Sequence, residues 1–440
     1  MIGGSAAGLT AGITARRFYP DKSILIVRKE EKVLIPCGIP YIFGTVCSPE
    51  KNLVPDAALE KNKIDLIIGG AEEIEKDKKV VKISGSEDVR YEKLIIATGS
   101  LPVEPPIEGY GRENTFVIKK DVAYLSNMLE KINKSKNMVI IGGGFIGIEF
   151  ADECHKDRDV KISIVEMLPH CLMQTFSEST CSRAEELIKG RGVDIFSGEK
   201  VESIVGGDRV EGVKLASGKT IDADVLLVGI GASANSKIAE QAGIEINRNG
   251  TIIVDRYMRT SEKDIFSCGD CCEKFSFFNK KPSNLMLASV ATNEARIAGA
   301  NLYKANRVNE GVIGTFSTVI GDTALARAGM SVNEAEENGY DIVVGTAEAP
   351  NCHPGCMPYG SNLKVSLVFE KGSGIIIGGE LIGSKSGGEL INLIGGCIHE
   401  RMIASHMATF QMGTHPALTA SPVAYQISNA AEIAIKKLRD

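Results

Sequence analysis

The chain has 440 residues, an apolar fraction of 43% and a formal net charge of -6, with both signs mixed along its length. That length exceeds one ordinary core, so two or three domains are expected. The charge pattern excludes a nucleic-acid or polybasic membrane surface, and no apolar run reaches the roughly 18 to 20 residues that span a bilayer. The eleven cysteines are odd in number and no basic leader precedes Gly3, so a reducing cytoplasm is expected rather than a disulfide framework.

The N-terminus opens on a glycine-rich turn, Gly3-Gly4-Ser5-Ala6-Ala7-Gly8, followed by a helical stretch over 9–18 and a strand over 23–27. Only Met1 and Ile2 precede the turn, so its first strand is expected to be short. Ser5 stands where the middle glycine of such a turn belongs, and Arg28 where a ribose-binding acid belongs. Arg16 and Arg17 read as a solvated helix face. The segment Ile35-Pro36-Cys37-Gly38-Ile39-Pro40-Tyr41 then sets a cysteine between proline and glycine on a rigid turn. Its thiolate would be the reactive form. A strand over 94–96 runs into Ala97-Thr98-Gly99.

The second glycine-rich turn is more regular. A strand over 138–141 leads into Gly142-Gly143-Gly144-Phe145-Ile146-Gly147, a helix follows with Glu149 in its first turns, and the next strand, over 161–166, ends on Glu166. Such a turn binds pyrophosphate: Gly142 permits the bend, Gly144 lets backbone approach phosphate, and Gly147 lets helix and strand pack, with helix N–H groups aimed at the anion. The Glu166 carboxylate can bond both ribose hydroxyls and would repel a 2′-phosphate, which favours NADH over NADPH. The chain therefore holds two nucleotide-binding units in series, the pattern of parallel α/β sheets.

Further strands end at Gly229-Ile230-Gly231 and at Cys268-Gly269-Asp270-Cys271. The second has CxxC spacing, but zinc would need two more ligands, and small-residue packing is the better account. From about residue 311 strand-like segments (363–369, 374–377) alternate with helical ones (388–404), which reads as a separate α+β domain. Cys352-His353-Pro354-Gly355-Cys356 could bind a metal or close a disulfide, with packing favoured; no metal site is assigned. Met402, Met407 and Met412 are expected in a dimer core.

The order and spacing of these pieces resemble the pyridine nucleotide–disulfide oxidoreductase family over essentially the whole chain. The likeness is to its single-cysteine branch of NADH oxidases, NADH peroxidases, coenzyme A-disulfide reductases and NAD(P)H sulfur reductases. The resemblance implies an α/β fold with two Rossmann-like dinucleotide-binding domains and a C-terminal α+β dimerisation domain. It divides the chain into FAD-binding parts at 1–115 and 239–310, an NAD-binding domain at 116–238 and a dimerisation domain at 311–440. It implies that Gly3, Gly4, Ser5, Ala6, Ala7, Gly8, Ala97, Thr98, Gly99, Gly269 and Asp270 hold FAD. Gly142, Gly144, Gly147 and Glu166 would hold NADH over one flavin face, and Cys37 would lie against the other. Arg28, Lys29, Pro36, Ala288, Phe145, Ile146, Glu149 and Gly231 complete the expected cofactor set.

Two-cysteine relatives carry a second cysteine where this chain has Ile42, so a single-cysteine cycle through a mixed disulfide, persulfide or sulfenic acid follows. Oxidases of the branch place a histidine where this chain has Ala6, which shifts weight toward disulfide, persulfide or polysulfide acceptors such as coenzyme A disulfide. Gly413-Thr414-His415-Pro416 resembles the family's proton-managing loop, but the usual orienting glutamate is Ala420. His415 and Tyr425 therefore stand as alternative proton carriers, acting in a homodimer on the partner's site. Reduction of oxygen or peroxide is the second reading, and a non-catalytic nucleotide sensor, motivated by Ser5 and Arg28, the third.

Overall fold

Met1 and Ile2 are the stub of a central strand. In this computed structural model, which describes residues 1–439, Ile2 bridges in parallel to both Val27 and Ile96. Four backbone hydrogen bonds of 2.8–2.9 Å tie residues 1–3 to those neighbours and to Ile95 and carry Ile2 through to Ala97. The stub thus joins strand Leu25–Arg28, paired in parallel with Asp65–Ile68, to strand Leu94–Ile96, paired in parallel with Ile265–Ser267. Ile26, Val27, Ile95 and Ile96 are all buried, as expected for a parallel sheet covered on both faces. These elements belong to one of two compact units, Met1–Pro106 with Asn114–Lys134 and Val228–Val312.

Two helices of this unit, Ala6–Phe18 and Ala288–Asn301, pack closely because small residues line their contact. Ala11, Ala15, Ala295 and Ala298 are fully or almost fully buried, and a Cβ at Gly299 would sit 2.6 Å from the Ala11 carbonyl oxygen. Arg17 is exposed, while Arg16 is half-buried and does more than the solvated face its sequence suggested. Its guanidinium donates to the carbonyls of Asn62, Pro20, Lys22 and Lys63, fastening the helix end to two loops.

The other unit comprises Ile107–Glu113, Ser135–Leu227 and Ile313–Asp440. Strands Val225–Val228, Asn137–Ile141, Lys161–Glu166 and Asp194–Ser197 are neighbours in that order, the last three paired in parallel. The antiparallel part is a five-stranded sheet in the order Thr315–Ile320, Thr323–Gly329, Ile376–Ser384, Asn362–Glu370, Ile342–Pro350. Helix Gln426–Arg439 lies so near it that a Cβ at Gly345 would fall 1.9 Å from the Ala430 oxygen.

Three expectations are corrected here. The helix expected over 388–404 is two helices, Gly387–His399 and Ala404–Thr409, broken where Arg401 takes a left-handed φ of 49°. The strand expected from residue 374 begins at Ile376, because Gly374 is a turn residue at φ 69°. Met407 is fully buried within its own chain, where its helix packs on Gln426–Arg439, so it is not a dimer-core residue. Among the described residues no helix is long and apolar enough to cross a membrane.

Candidate active site

The two glycine-rich turns have the same backbone. Gly3 and Gly142 both have φ of +105°, a region that disfavours any side chain. A Cβ at Gly8 would lie 1.9 Å from the Gly3 oxygen, and one at Gly147 would lie 1.9 Å from the Gly142 oxygen. Each helix thus starts against its preceding strand at a distance only glycine permits. The N-cap residues match as well: Ser5 has φ -85° and ψ -159°, Gly144 φ -73° and ψ -170°. Those are extended angles that any residue adopts, so Ser5 is no defect. Neither helix is capped by a side chain, which leaves first-turn N–H groups for an anion. Both cradles fit a dinucleotide pyrophosphate.

The acids beside the turns differ. Glu166 Oε2 accepts the Gly143 N–H at 2.6 Å and Oε1 accepts the Leu168 N–H at 2.7 Å. The carboxylate that could meet a ribose therefore also braces its own phosphate turn. Cys171, a residue the sequence did not single out, backs this turn: a Cβ at Gly143 would be 2.5 Å from its Sγ, and burial pushes the Cys171 thiol up to about 12. In the first turn Arg28 takes the acid's place. Its stem crosses Gly4, where a Cβ would be 2.7 Å from Cδ. Its guanidinium is buried, donating to both Asp56 carboxylate oxygens at 2.8 Å and to the Glu30 and Glu31 carbonyls. Four of its bonds are spent within the protein. Asp56, missed in the sequence, is held below the usual carboxylate range by that guanidinium. Lys29 is exposed.

Phe145, first in its helix, stacks on Phe316 at 5.8 Å and 11° and meets Phe176 edge-on at 5.8 Å; Ile146 is exposed. Glu149, one turn on, accepts the Thr318 hydroxyl at 2.9 Å. Burial raises its carboxyl to about 7, against the opposing effect of that hydrogen bond. The fold thus keeps a proton that the unfolded chain releases above 4.5. The stabilisation is complete below 4.5 and is lost as pH rises through about 7. Denaturant unfolding between pH 5 and 8 should show wild type losing roughly 2 kcal/mol more than Glu149→Gln across that window; parallel curves would refute the assignment.

Cys37 sits exposed in the short 3₁₀ turn Pro36–Gly38. Asn52 fixes this turn, its Nδ2 donating to the Ile35 carbonyl at 2.9 Å while the Ile35 N–H donates to the Asn52 backbone carbonyl at 2.9 Å. A Cβ at Gly38 would be 2.0 Å from Asn52 Oδ1, which explains the glycine after the cysteine. Ile39, Ile42 and Phe43 are buried behind it, so the thiol stands on a rigid base. Cys47 is exposed, and its Sγ donates to the Gly44 carbonyl at 2.6 Å.

Thr98 and Gly99 are held by Asn235: its N–H donates to the Gly99 carbonyl at 2.9 Å, and Thr98 Oγ1 donates to its carbonyl. Ala97 lies under Gly3, whose Cβ would be 2.1 Å from the Ala97 oxygen. The Asp270 carboxylate accepts the Ser100 hydroxyl at 2.8 Å. Ala288 opens its helix and Gly231 is an exposed residue at φ 117°. Cys268 and Cys271 are fully buried, and Cys271 Sγ donates to the Ile96 and Cys268 carbonyls.

His415 is exposed. Its Nδ1 accepts the Ala417 N–H at 3.2 Å, so a backbone amide orients the ring in place of the absent carboxylate and leaves the ring proton on Nε2. Tyr425 is buried, edge-on to Phe410 at 6.2 Å, and burial raises its phenol. Next to the His415 loop, His353 Nδ1 meets the Thr419 carbonyl at 3.0 Å, and the His353 N–H donates to the Pro416 carbonyl at 2.9 Å. Cys352 is buried and Cys356 exposed. Among the described residues no cluster of three His, Cys, Asp or Glu could hold a metal, and no cysteine is in a disulfide.

Comparison with known proteins agrees with this geometry. Residues 1–295 match the family described as pyridine nucleotide-disulphide oxidoreductase, and residues 315–424 match its dimerisation domain. An NADH oxidase from Methanocaldococcus jannaschii is 28% identical, covering 100% of this chain and 98% of that protein. An NAD(P)H coenzyme A polysulfide/persulfide reductase from Pyrococcus horikoshii is 28% identical over 87% of each chain. The solved structure of a NAD-dependent persulfide reductase from A. fulgidus is 30% identical, with a TM-score of 0.90 over 99% of this chain and 82% of that one. With two dinucleotide cradles, an exposed cysteine on a braced turn and an α+β C-terminal part, the chain belongs to the pyridine nucleotide-disulphide oxidoreductase family, whose members use FAD and NAD(P)H.

Proposed function

We propose that the protein oxidises NADH and delivers two electrons, by way of FAD and Cys37, to a small disulfide, persulfide or polysulfide such as coenzyme A disulfide. The observation that carries this reading is Cys37 itself, an exposed thiol on the turn that Asn52 and Gly38 hold rigid, with no cysteine at Ile42. FAD, when bound, supplies the step that converts a hydride into the electron pair a disulfide needs. The chain's own part is to cradle it through residues 3–8 and 97–99 and Asp270, in domain parts 1–115 and 239–310. NADH is held in 116–238, by Gly142, Gly144, Gly147 and Glu166.

At the sulfur end the Cys37 thiolate attacks one sulfur of the acceptor, forming a mixed disulfide and expelling the other half as a thiolate. Two electrons cleave that bond, returning the Cys37 thiolate and releasing the second thiolate. One hydride from NADH, carrying two electrons and one hydrogen, and one proton from solvent balance one disulfide reduced to two thiols. We assign management of that solvent proton to His415, with Tyr425 as the alternative, acting on the other subunit of a homodimer built through residues 311–440. A reducing cytoplasm suits an enzyme whose working group is an exposed thiol.

The test is anaerobic: reduce the purified enzyme with NADH and follow flavin reoxidation by coenzyme A disulfide, polysulfide or oxygen. Reoxidation by sulfur acceptors supports the proposal. Rapid reoxidation by oxygen alone supports the NADH oxidase reading that the Methanocaldococcus relative's name favours, against which Ala6 stands in place of a histidine. Glu166→Ala should shift the NADH/NADPH preference by about tenfold or more toward NADPH, by removing a carboxylate that would repel a 2′-phosphate; an unchanged ratio of kcat/KM values would remove Glu166 from cofactor selection.

A further inference from the structure

Beneath the Gly269-Asp270 turn lies a buried ion pair that neither nucleotide cradle uses. Lys274 and Glu294 are 3% and 1% exposed, with Nζ and Oε2 3.7 Å apart. Two charges withdrawn from water are costly, and such a pair is poor evidence of stability on its own. Its contacts are more telling. Glu294 Oε2 accepts the Gly269 N–H at 2.9 Å, while Lys274 Nζ donates to the Gly269 carbonyl at 2.7 Å and to the Cys272 carbonyl at 2.9 Å. One residue's N–H and C=O are thus gripped by opposite charges from opposite sides.

Gly269 needs such a grip. It has φ of +86°, and a Cβ there would meet Ala7 of the first cradle at 3.0 Å. It is therefore a flexible residue at a close approach, immediately before the carboxylate expected to face the flavin. Glu294 Oε1 has no hydrogen-bond partner among the described residues, and burial raises the Glu294 carboxyl despite Lys274. The pair is thus costly, and it holds Gly269 at both its N–H and its C=O, with further bonds to Cys272.

We propose that Lys274 and Glu294 are positioning residues for FAD: together they lock Gly269 and so aim Asp270. This rests on the FAD reading of that turn. Replacing both by apolar residues of similar length (Lys274→Met with Glu294→Leu) removes the buried charges and the grip together. Because apolar replacement of a buried pair is often neutral for folding, stability and flavin binding should part company. FAD release from the diluted holoenzyme, followed by flavin fluorescence, should show a dissociation constant raised about tenfold or more, while the unfolding midpoint of the protein falls by only a few degrees.

Lys274→Met with Glu294→Gln, which leaves no buried charge but keeps an acceptor for the Gly269 N–H, serves if the apolar pair does not fold, and should also weaken FAD binding severalfold. Glu294→Gln keeps an acceptor for the Gly269 N–H and should stay within about threefold of wild type. An unchanged FAD dissociation constant in the apolar pair, or in Lys274→Met with Glu294→Gln where the apolar pair does not fold, overturns the proposal, as does a loss in Glu294→Gln alone equal to that of the apolar pair. Wild-type protein that carries no FAD would instead overturn the reading on which the proposal rests.

Discussion

Cys37→Ser should abolish turnover with coenzyme A disulfide or polysulfide, by about 10³-fold or more in kcat, while leaving reduction of the flavin by NADH within a few-fold of wild type. The argument is chemical. A serine hydroxyl is isosteric but far less acidic, and an oxygen cannot hold the acceptor's sulfur as a disulfide that two electrons will cleave. The serine variant keeps the bracing of the turn by Asn52 and the close approach at Gly38. Stopped-flow reduction and reoxidation separate the two half-reactions. Retained reoxidation by sulfur acceptors in the serine variant would remove Cys37 from the path. Equal reoxidation of both forms by oxygen would mark an oxidase that does not need the thiol.

The phosphate turns and their flanking strands were legible because the chemistry constrains residue type. Only glycine reaches φ +105° at positions 3 and 142 without strain, and only glycine fits at 8 and 147, so the pattern stands out in the chain itself. The same reasoning misjudged Ser5, because a missing glycine matters only where φ or close approach demands one, and the φ of -85° there demands nothing. Arg28 also looked like a flaw. Its partner, Asp56, lies far along the chain, and no local pattern announces a bidentate pair of that separation. Glu380 was invisible for the same reason. From a distant strand it accepts the Ser177 N–H at 2.9 Å, the Ser177 hydroxyl at 2.6 Å and the Thr180 hydroxyl at 2.5 Å, anchoring the start of helix Glu178–Lys189.

The sulfur-handling end was the least legible part. A His-Pro pair with alanine in place of the orienting glutamate read as a weakened base, because side-chain partners can be looked for in a sequence and backbone ones cannot. The Ala417 N–H supplies the missing constraint from two residues away. A ring held with its proton on Nε2 can give the departing thiolate a hydrogen bond, while the proton that neutralises that thiolate comes from solvent. Helix 388–404 misled for another reason: its apolar spacing continues smoothly past residue 400, and nothing in that spacing marks Arg401 as the residue that turns left-handed.

Gly147→Ala should be the most damaging single methyl in the NADH half. The new Cβ would stand 1.9 Å from the Gly142 oxygen, a backbone atom that cannot rotate away. Relief requires helix Phe145–Cys154 to move off its strand, yet Ile148, Phe150 and Ala151 are fully buried and resist that shift. Overpacking of this kind costs about 1–3 kcal/mol, and the displaced N–H groups lose their aim at the pyrophosphate. The expected result is a KM for NADH raised about 10- to 100-fold, a lower unfolding midpoint, and a flavin spectrum that is unchanged. Gly144→Ala is the contrasting case. Its Cβ would meet nothing within 4 Å, its φ is -73°, and Ser5 already carries a Cβ at the matching place in the first turn. Folding should be untouched, within about 0.5 kcal/mol, and the KM effect smaller than that of Gly147→Ala. If the two alanines behave alike, close helix–strand packing is not what makes this turn bind NADH, and the correspondence between the two cradles ends at backbone shape.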